Sequence, residues 1–177
     1  MPGTGTDRES EIVRLRLAQR VELLASAIDA MHRLDGSSQV LDRLVDLARQ
    51  ATIAPYGMLA VSAAADSDTV DFRTSGQLPD EIAGLAFERF SQLAGQLILR
   101  QAAASRLIQV SVVDGPDPPR LYMYCVPIHR HGMVIGILGV TMVNVGSTMD
   151  ADKLRMLESL AQCAAIVVEI HHGDARS

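Results

Sequence analysis

The stretch LYMYCVPIHRHGMVIGILGVTMVN, residues 121–144, decides how this chain folds. Two apolar runs, Leu121–Ile128 and Met133–Val143, flank a polar break of His129, Arg130, His131 and Gly132. Runs rich in Val, Ile, Tyr and Met around a Gly-containing break read as a β-hairpin. Side chains alternate between the two faces of a strand. On the first run Tyr122, Tyr124, Val126 and Ile128 share one face, and Leu121, Met123 and Cys125 share the other. On the second, Met133, Ile135, Ile137 and Thr141 oppose Val134, Leu138, Val140 and Met142. No face is polar. Antiparallel sheets commonly leave one face in water, so this hairpin requires cover on both sides.

The flanking sequence supplies that cover. Arg8 to Leu34 has no Gly or Pro and is rich in Leu, Ala, Arg and Glu, which are strong helix formers. Within it Leu17, Val21, Leu24, Ile28 and Met31 recur at steps of four and three, a seam of the coiled-coil kind. Leu15, Leu23, Ala27, Ala30 and Leu34 widen the stripe beyond what a lone chain usually exposes. Self-association through this helix is therefore expected; the alternative is a helix packed wholly on its own domain. Asp35 to Ser38 breaks the helix, with Ser37 or Ser38 as candidate cap for the next one. Val40 to Ile53 is amphipathic, with Val40, Leu41, Leu44, Val45, Leu47 and Ala48 on one broad face.

Strands are expected at Gly57–Ala65, Val70–Thr74 and Arg106–Val113. Between the last two, Pro79, Asp80 and Glu81 mark a helix start. Ile82, Leu85, Ala86, Arg89, Leu93 and Leu97 carry that mid-chain helix onward, with a break near Gly95. Ser147 or Thr148 is placed to cap a last helix over Ala151–Ile170. Its two apolar lines, Leu154, Leu157, Ala161, Ala164 and Val168, and Met156, Leu160, Cys163, Val167 and Ile170, imply two partners. One is the sheet. The other is expected to be the N-terminal helix of the same chain or a twin, which puts Leu160 and Val167 at a dimer interface.

Composition narrows the class. The chain has 177 residues, enough for one domain plus an accessory helix. Its 16 basic and 21 acidic residues give a net charge of −5, without the clustered Lys and Arg of a nucleic-acid footprint. No apolar run approaches the ~18 residues that span a bilayer, and MPGTGTDRES has no apolar signal core. A cytoplasmic location with no membrane partner is expected. Cys125 and Cys163 form no CxxC and read as small buried hydrophobes. The expected organisation is a tail at residues 1–10, a dimerising helix at 11–36, a domain at 37–170 and a tail at 171–177.

Three segments carry a family resemblance. Val126, Pro127 and Ile128, then His131 to Val140, then Asp152 to Ala161, resemble the second half of a GAF domain. That half has a "vPl…G.viGvl.l" hairpin and a closing "eD…L..la" helix. Val40–Ala51 and Gly57–Val61 are similar to the family's opening helix and first strand. The resemblance implies an α+β fold with five to six antiparallel strands. It places the terminal helices on one face and the mid-chain helix plus loops on the other. It also implies sensing rather than catalysis, with a small-molecule pocket between the sheet and the mid-chain helix and signalling through a helical homodimer. Phe72, Phe87, Phe90, Tyr122, Tyr124 and Thr141 are the expected pocket walls. A ligand-free dimerisation or protein-interaction scaffold is the alternative. Cyclic-nucleotide-binding members carry an Asn-Lys…Phe…Asp-Glu pattern after the hairpin. Here Asn144 is followed by Val145, Thr148, Met149 and Asp150, so that ligand is not expected.

Catalytic and metal signatures are lacking. No G-x-S-x-G, P-loop, HExxH or GxGxxG stands in a suitable context. His129 and His131 lie two apart, the spacing of a chelating pair on one strand face, but no third ligand is near in sequence, and a solvated turn is the simpler reading. His171 and His172 suit the negative end of the last helix. No enzyme activity and no metal are expected, and no cofactor is named. The chain carries no kinase, cyclase or helix-turn-helix motif, so if it is full length the signal is expected to pass to a downstream protein.

Overall fold

A computed structural model describes residues 5–33, 36–62, 68–102, 104–113, 120–143 and 149–174. The chain runs α1 (Gly5–Arg33), α2 (Ser37–Thr52), β1 (Tyr56–Ser62), β2 (Val70–Gly76) and α3 (Asp80–Ala94). A π-helical turn (Gly95–Leu99), β3 (Ile108–Val113), β4 (Leu121–Arg130), β5 (Met133–Val143) and α4 (Ala151–Asp174) follow. The five strands form one antiparallel sheet in the order β2-β1-β5-β4-β3. Helix α1 thus begins at Gly5 and α4 extends to Asp174, so both helices reach into segments expected to be tails.

The β4–β5 hairpin turns at His131 and Gly132, with φ of 49° and 78°. Arg130 pairs with Met133 across that two-residue turn. Positive φ at both central residues is the type I′ geometry, whose twist matches paired strands. The hairpin is covered on both faces, as its sequence demands. Leu59, Val61, Tyr124, Val126, Ile128, Leu138, Val140 and Met142 pack in one core with residues of α2 and α4. Met58, Ala60, Met123, Cys125 and Ile137 pack in a second core with Ala86, Phe90 and Ala94 of α3. One expected facing is corrected. Val134 lies in the α3-side core and Ile135 against the opposite one. The cause is a register shift: Ile128 pairs with Gly136 but His129 pairs with Val134, which leaves Ile135 as the extra residue of a bulge.

Capping also differs from expectation. Gly36, and neither Ser37 nor Ser38, occupies the N-cap of α2, without a side-chain hydrogen bond. At α4 the Lys153 N–H donates to Asp150 Oδ1 at 2.8 Å, so Asp150 caps this helix; Ser147 and Thr148 lie outside the described residues. Pro79 takes the N-cap of α3, with Asp80 and Glu81 in the first turn. Helix α3 gives way at Gly95 to the π-helical turn, at the position where the sequence breaks its pattern.

Candidate functional site

The expected pocket residues divide between the two cores. Phe72, Phe87 and Phe90 come together on the α3 side: Phe72 meets Phe87 at 5.3 Å and Phe90 at 6.4 Å between ring centroids, both edge-on. Thr141 shares that side by alternation with Ile137, and its hydroxyl donates to the Tyr56 carbonyl at 3.2 Å. Tyr122 and Tyr124 sit 6.5 Å apart on the opposite face, against the α2–α4 core. Burial, and to a lesser degree Tyr122, push the Tyr124 hydroxyl above its ordinary titration range. These six residues therefore do not line one cavity. Alternation identifies residues that share a face, but it does not say which helix covers that face.

The centre of the α3 side is filled. Phe90 is 0% exposed, as are Met58, Met123, Cys125 and Ile137 around it. A Cβ on Gly139 would lie 2.9 Å from both Phe90 Cε2 and Cys125 Sγ. Glycine at 139 lets the ring rest directly on the strand, a use of strand glycine for close approach. The rim is more open: Phe72 is half-buried and Phe87 exposed, beside the partly buried Tyr56 and Val70. At the far end of α3 the Gln101 side-chain amide pairs with β5. Its Nε2 donates to the Val134 carbonyl at 3.0 Å, and the Val134 N–H donates to Oε1 at 3.2 Å. Gln101 itself has φ of 48°. This clasp ties the segment after α3 to the bulged strand, and no sequence pattern announces it.

The helical side contrasts with this. Helix α1 lies antiparallel to α2: Arg43 of α2 donates to Ser26 Oγ at 3.4 Å, and Val13 and Leu17 line a groove with Ile53 at the far end of α2. Ala27 is buried and Leu24 half-buried. Leu17 (59%), Val21 (58%) and Ile28 (48%) are exposed, with Ile12, Val13 and Leu15 beside them. The side chain of Met31 lies outside the described residues. The groove holds about 590 Å³ and is completed by Arg16 and the start of α4, where Arg16 stands 3.6 Å from Asp152. Ile53, 84% exposed, closes α2 with φ of 56°. A β-branched residue in the left-handed region is a true outlier, and glycine is the usual occupant.

Leu160 and Val167 correct the expected dimer surface. They are 0% and 6% exposed and belong to the chain's own core. Along α4, Leu157, Leu160, Ala161, Ala164, Val167 and Val168 are buried against the sheet and α2, its principal helical neighbour, with α1 of the same chain also in contact, while Ile166 and Ile170 point outward.

The titratable groups are sparse. His131 is exposed in the turn, 3.9 Å from Glu169, and His129 is exposed on β4. No three His, Cys, Asp or Glu side chains gather among the described residues. Cys125 is buried, which pushes its thiol far up from the ordinary value, and half-buried Cys163 shifts the same way. Arg106 donates through Nε and Nη2 to both carboxylate oxygens of Glu158, the latter at 2.6 Å. This pairing lowers the Glu158 titration and raises that of Arg106. No described helix is long and apolar enough to cross a membrane.

No protein-family model matches the chain, and no curated protein does. Solved structures do. The GAF domain of a phosphoenolpyruvate-protein phosphotransferase from Acinetobacter superposes with a TM-score of 0.62 at 12% identity, covering 90% of this chain and 98% of that one. The corresponding domain from Coxiella burnetii gives 0.61 at 13%, covering 89% and 97%. The GAF-B domain of DevS from Mycobacterium smegmatis gives 0.53 at 19%, covering 80% and 98%. At these identities the likeness is one of fold: the chain is a GAF-like α+β domain.

Proposed function

We propose that this chain is a regulatory GAF-like domain without catalytic chemistry of its own, acting as a homodimer whose copies meet along α1. The observation that carries the reading is the apolar stripe of Leu17, Val21 and Ile28, left exposed on a helix whose covered side chains, among the described residues, are Leu24, Ser26 and Ala27. With Ile12, Val13, Leu15 and Ile53 the exposed apolar surface is on the scale that marks an interaction site on soluble proteins. A second α1 covers such a stripe by seating these residues between its own. The packed centre under α3 favours the scaffold form of this function over a ligand-gated one. A cysteine introduced as Val21→Cys tests the pairing. With Cys163→Ser as the background, mild oxidation is expected to give a disulfide-linked dimer from Val21→Cys and none from the background chain, whose remaining Cys125 is buried. A variant that stays monomeric under oxidation contradicts the proposal.

A second reading rests on the rim of the α3 side. Phe72 and Phe87 form a partly open aromatic pair, and the π-helical turn ends the helix above it. π turns are frequent at functional sites. A small planar molecule entering there would displace Phe90 and pass the change to the terminal helices. A thermal-shift screen with metabolites and nucleotides separates the readings: saturable stabilisation supports sensing, and its absence supports the scaffold.

A further inference from the structure

We propose that the unpaired end of β4, overhung by α4, is a docking groove for an uncharged, extended peptide segment of another protein, bound as a short strand in line with β3. Strand β3 pairs with β4 only up to Ile108 and Cys125, yet β4 continues to Arg130. Arg130 faces Met133 across the two-residue turn. In that hairpin the flanking pair exchanges both backbone hydrogen bonds, so Arg130 directs its backbone groups at β5. Backbone direction alternates along a strand. Ile128 and Val126 therefore also point at β5, and His129 and Pro127 point outward. Proline has no N–H and is tolerated in a strand only on the outward side. Pro127 denies β3 a ladder bond at the position where the pairing stops. His129, one step beyond, presents both its N–H and its carbonyl to the open edge, and no strand among the described residues pairs with it.

A groove of about 570 Å³ runs along this edge, lined by Arg106, Pro127, His129, Glu158, Ala161 and Gln162. The edge from Val126 to His129 spans ~10 Å, room for a segment of about four residues. The charge of the lining selects the occupant. Arg106 and Glu158 are bound to each other through both carboxylate oxygens, so the groove carries no free charge for a basic or acidic segment to meet. Its walls are the strand edge at Pro127 and His129, Arg106 ahead of β3, and Glu158, Ala161 and Gln162 of α4, so an occupant lies between the strand edge and the helix, a place suited to one extended chain. Addition of a strand to an open edge is a common mode of peptide recognition: main-chain bonds give affinity and side-chain contacts give selectivity. This surface is separate from the α1 stripe and does not depend on dimer formation.

Panning a phage-displayed library of random heptapeptides against the full chain tests the assignment, with enriched peptides then synthesised and titrated calorimetrically. They are expected to have uncharged centres. They should bind the wild type and His129→Ala within twofold of each other and His129→Pro at least tenfold more weakly, since proline removes the outward N–H that alanine keeps. Gln162→Trp, which fills the mouth of the groove without touching the core, should weaken them as much. Peptide should also slow hydrogen exchange at the His129 amide. If His129→Pro does not fold, Gln162→Trp and the exchange readout decide. Failure to enrich any peptide overturns the proposal, as do unchanged binding by Gln162→Trp, protection confined to α1, and binding lost only through salt screening. Loss of self-association in His129→Pro would give the edge to a second copy and would overturn it equally.

Discussion

The two faces of the sheet are covered to different standards. Under α3, Phe90 rests on a strand glycine and its neighbours are wholly buried. Behind the opposite face α2 and α4 pack just as tightly, but α1 outside them leaves Leu17, Val21 and Ile28 in water. In the solved GAF structures this chain resembles, the fold is shared at 12 to 19% identity, so the layers persist while their contents vary. The difference teaches where this chain holds unspent apolar surface. It is at the helix outside the domain, and not where a cavity would have to sit.

Breaking the closed side should have the largest effect. Phe90→Ala empties the centre of the α3 core and is expected to cost ~3–5 kcal/mol in chemical denaturation. The same variant sharpens the comparison if it gains affinity for a small aromatic probe such as indole, because a dry cavity would then have been opened. Gly139→Val attacks the same contact from the strand. Its methyls collide with the Phe90 ring and Cys125, for an expected loss of ~1–3 kcal/mol by urea titration.

On the open side the sign reverses. Ile53→Gly removes a side chain from a left-handed position, and the relief, less the added freedom of the unfolded chain, should stabilise the domain by ~0.5–1 kcal/mol, read as a higher melting temperature. A loss of self-association in the same variant would place Ile53 within the dimer surface. The smallest effect is expected from Glu158→Gln. Glu158 titrates lower when folded than unfolded because Arg106 donates to it. Its contribution is therefore present above the ordinary carboxylate range and is lost as pH falls through the lowered value. The wild type and Glu158→Gln should differ slightly in melting temperature at neutral pH and converge in acid.

Much of this architecture is legible in the sequence. The hairpin showed itself through two apolar runs about a glycine-containing break, and its demand for double cover follows from period-two alternation. The sharing of faces on β4 came out residue for residue. What alternation cannot carry is the identity of the covering element, and so the sequence sets Tyr122 and Tyr124 beside Phe90 although the thickness of the sheet separates them. Val134 escaped for a different reason: one bulged residue shifts every side chain beyond it to the other face. Leu160 and Val167 show a third limit. Helical spacing reveals that α4 is apolar on two sides, but a helix packed on the sheet beside α2 has the same pattern as one offered to a twin. The Gln101 clasp and the unpaired end of β4 arise from contacts between distant segments, although Pro127 inside an apolar run was a local sign that one side of β4 lacks a partner.

Sedimentation equilibrium of the wild type beside Leu17→Asp tests the central claim most directly. Leu17 is exposed, so the substitution should leave the melting temperature of the fold nearly unchanged. The account expects a wild type of dimer mass and a folded Leu17→Asp variant of monomer mass at the same concentration. A wild type that sediments as a monomer, or a Leu17→Asp variant that stays dimeric, would contradict it.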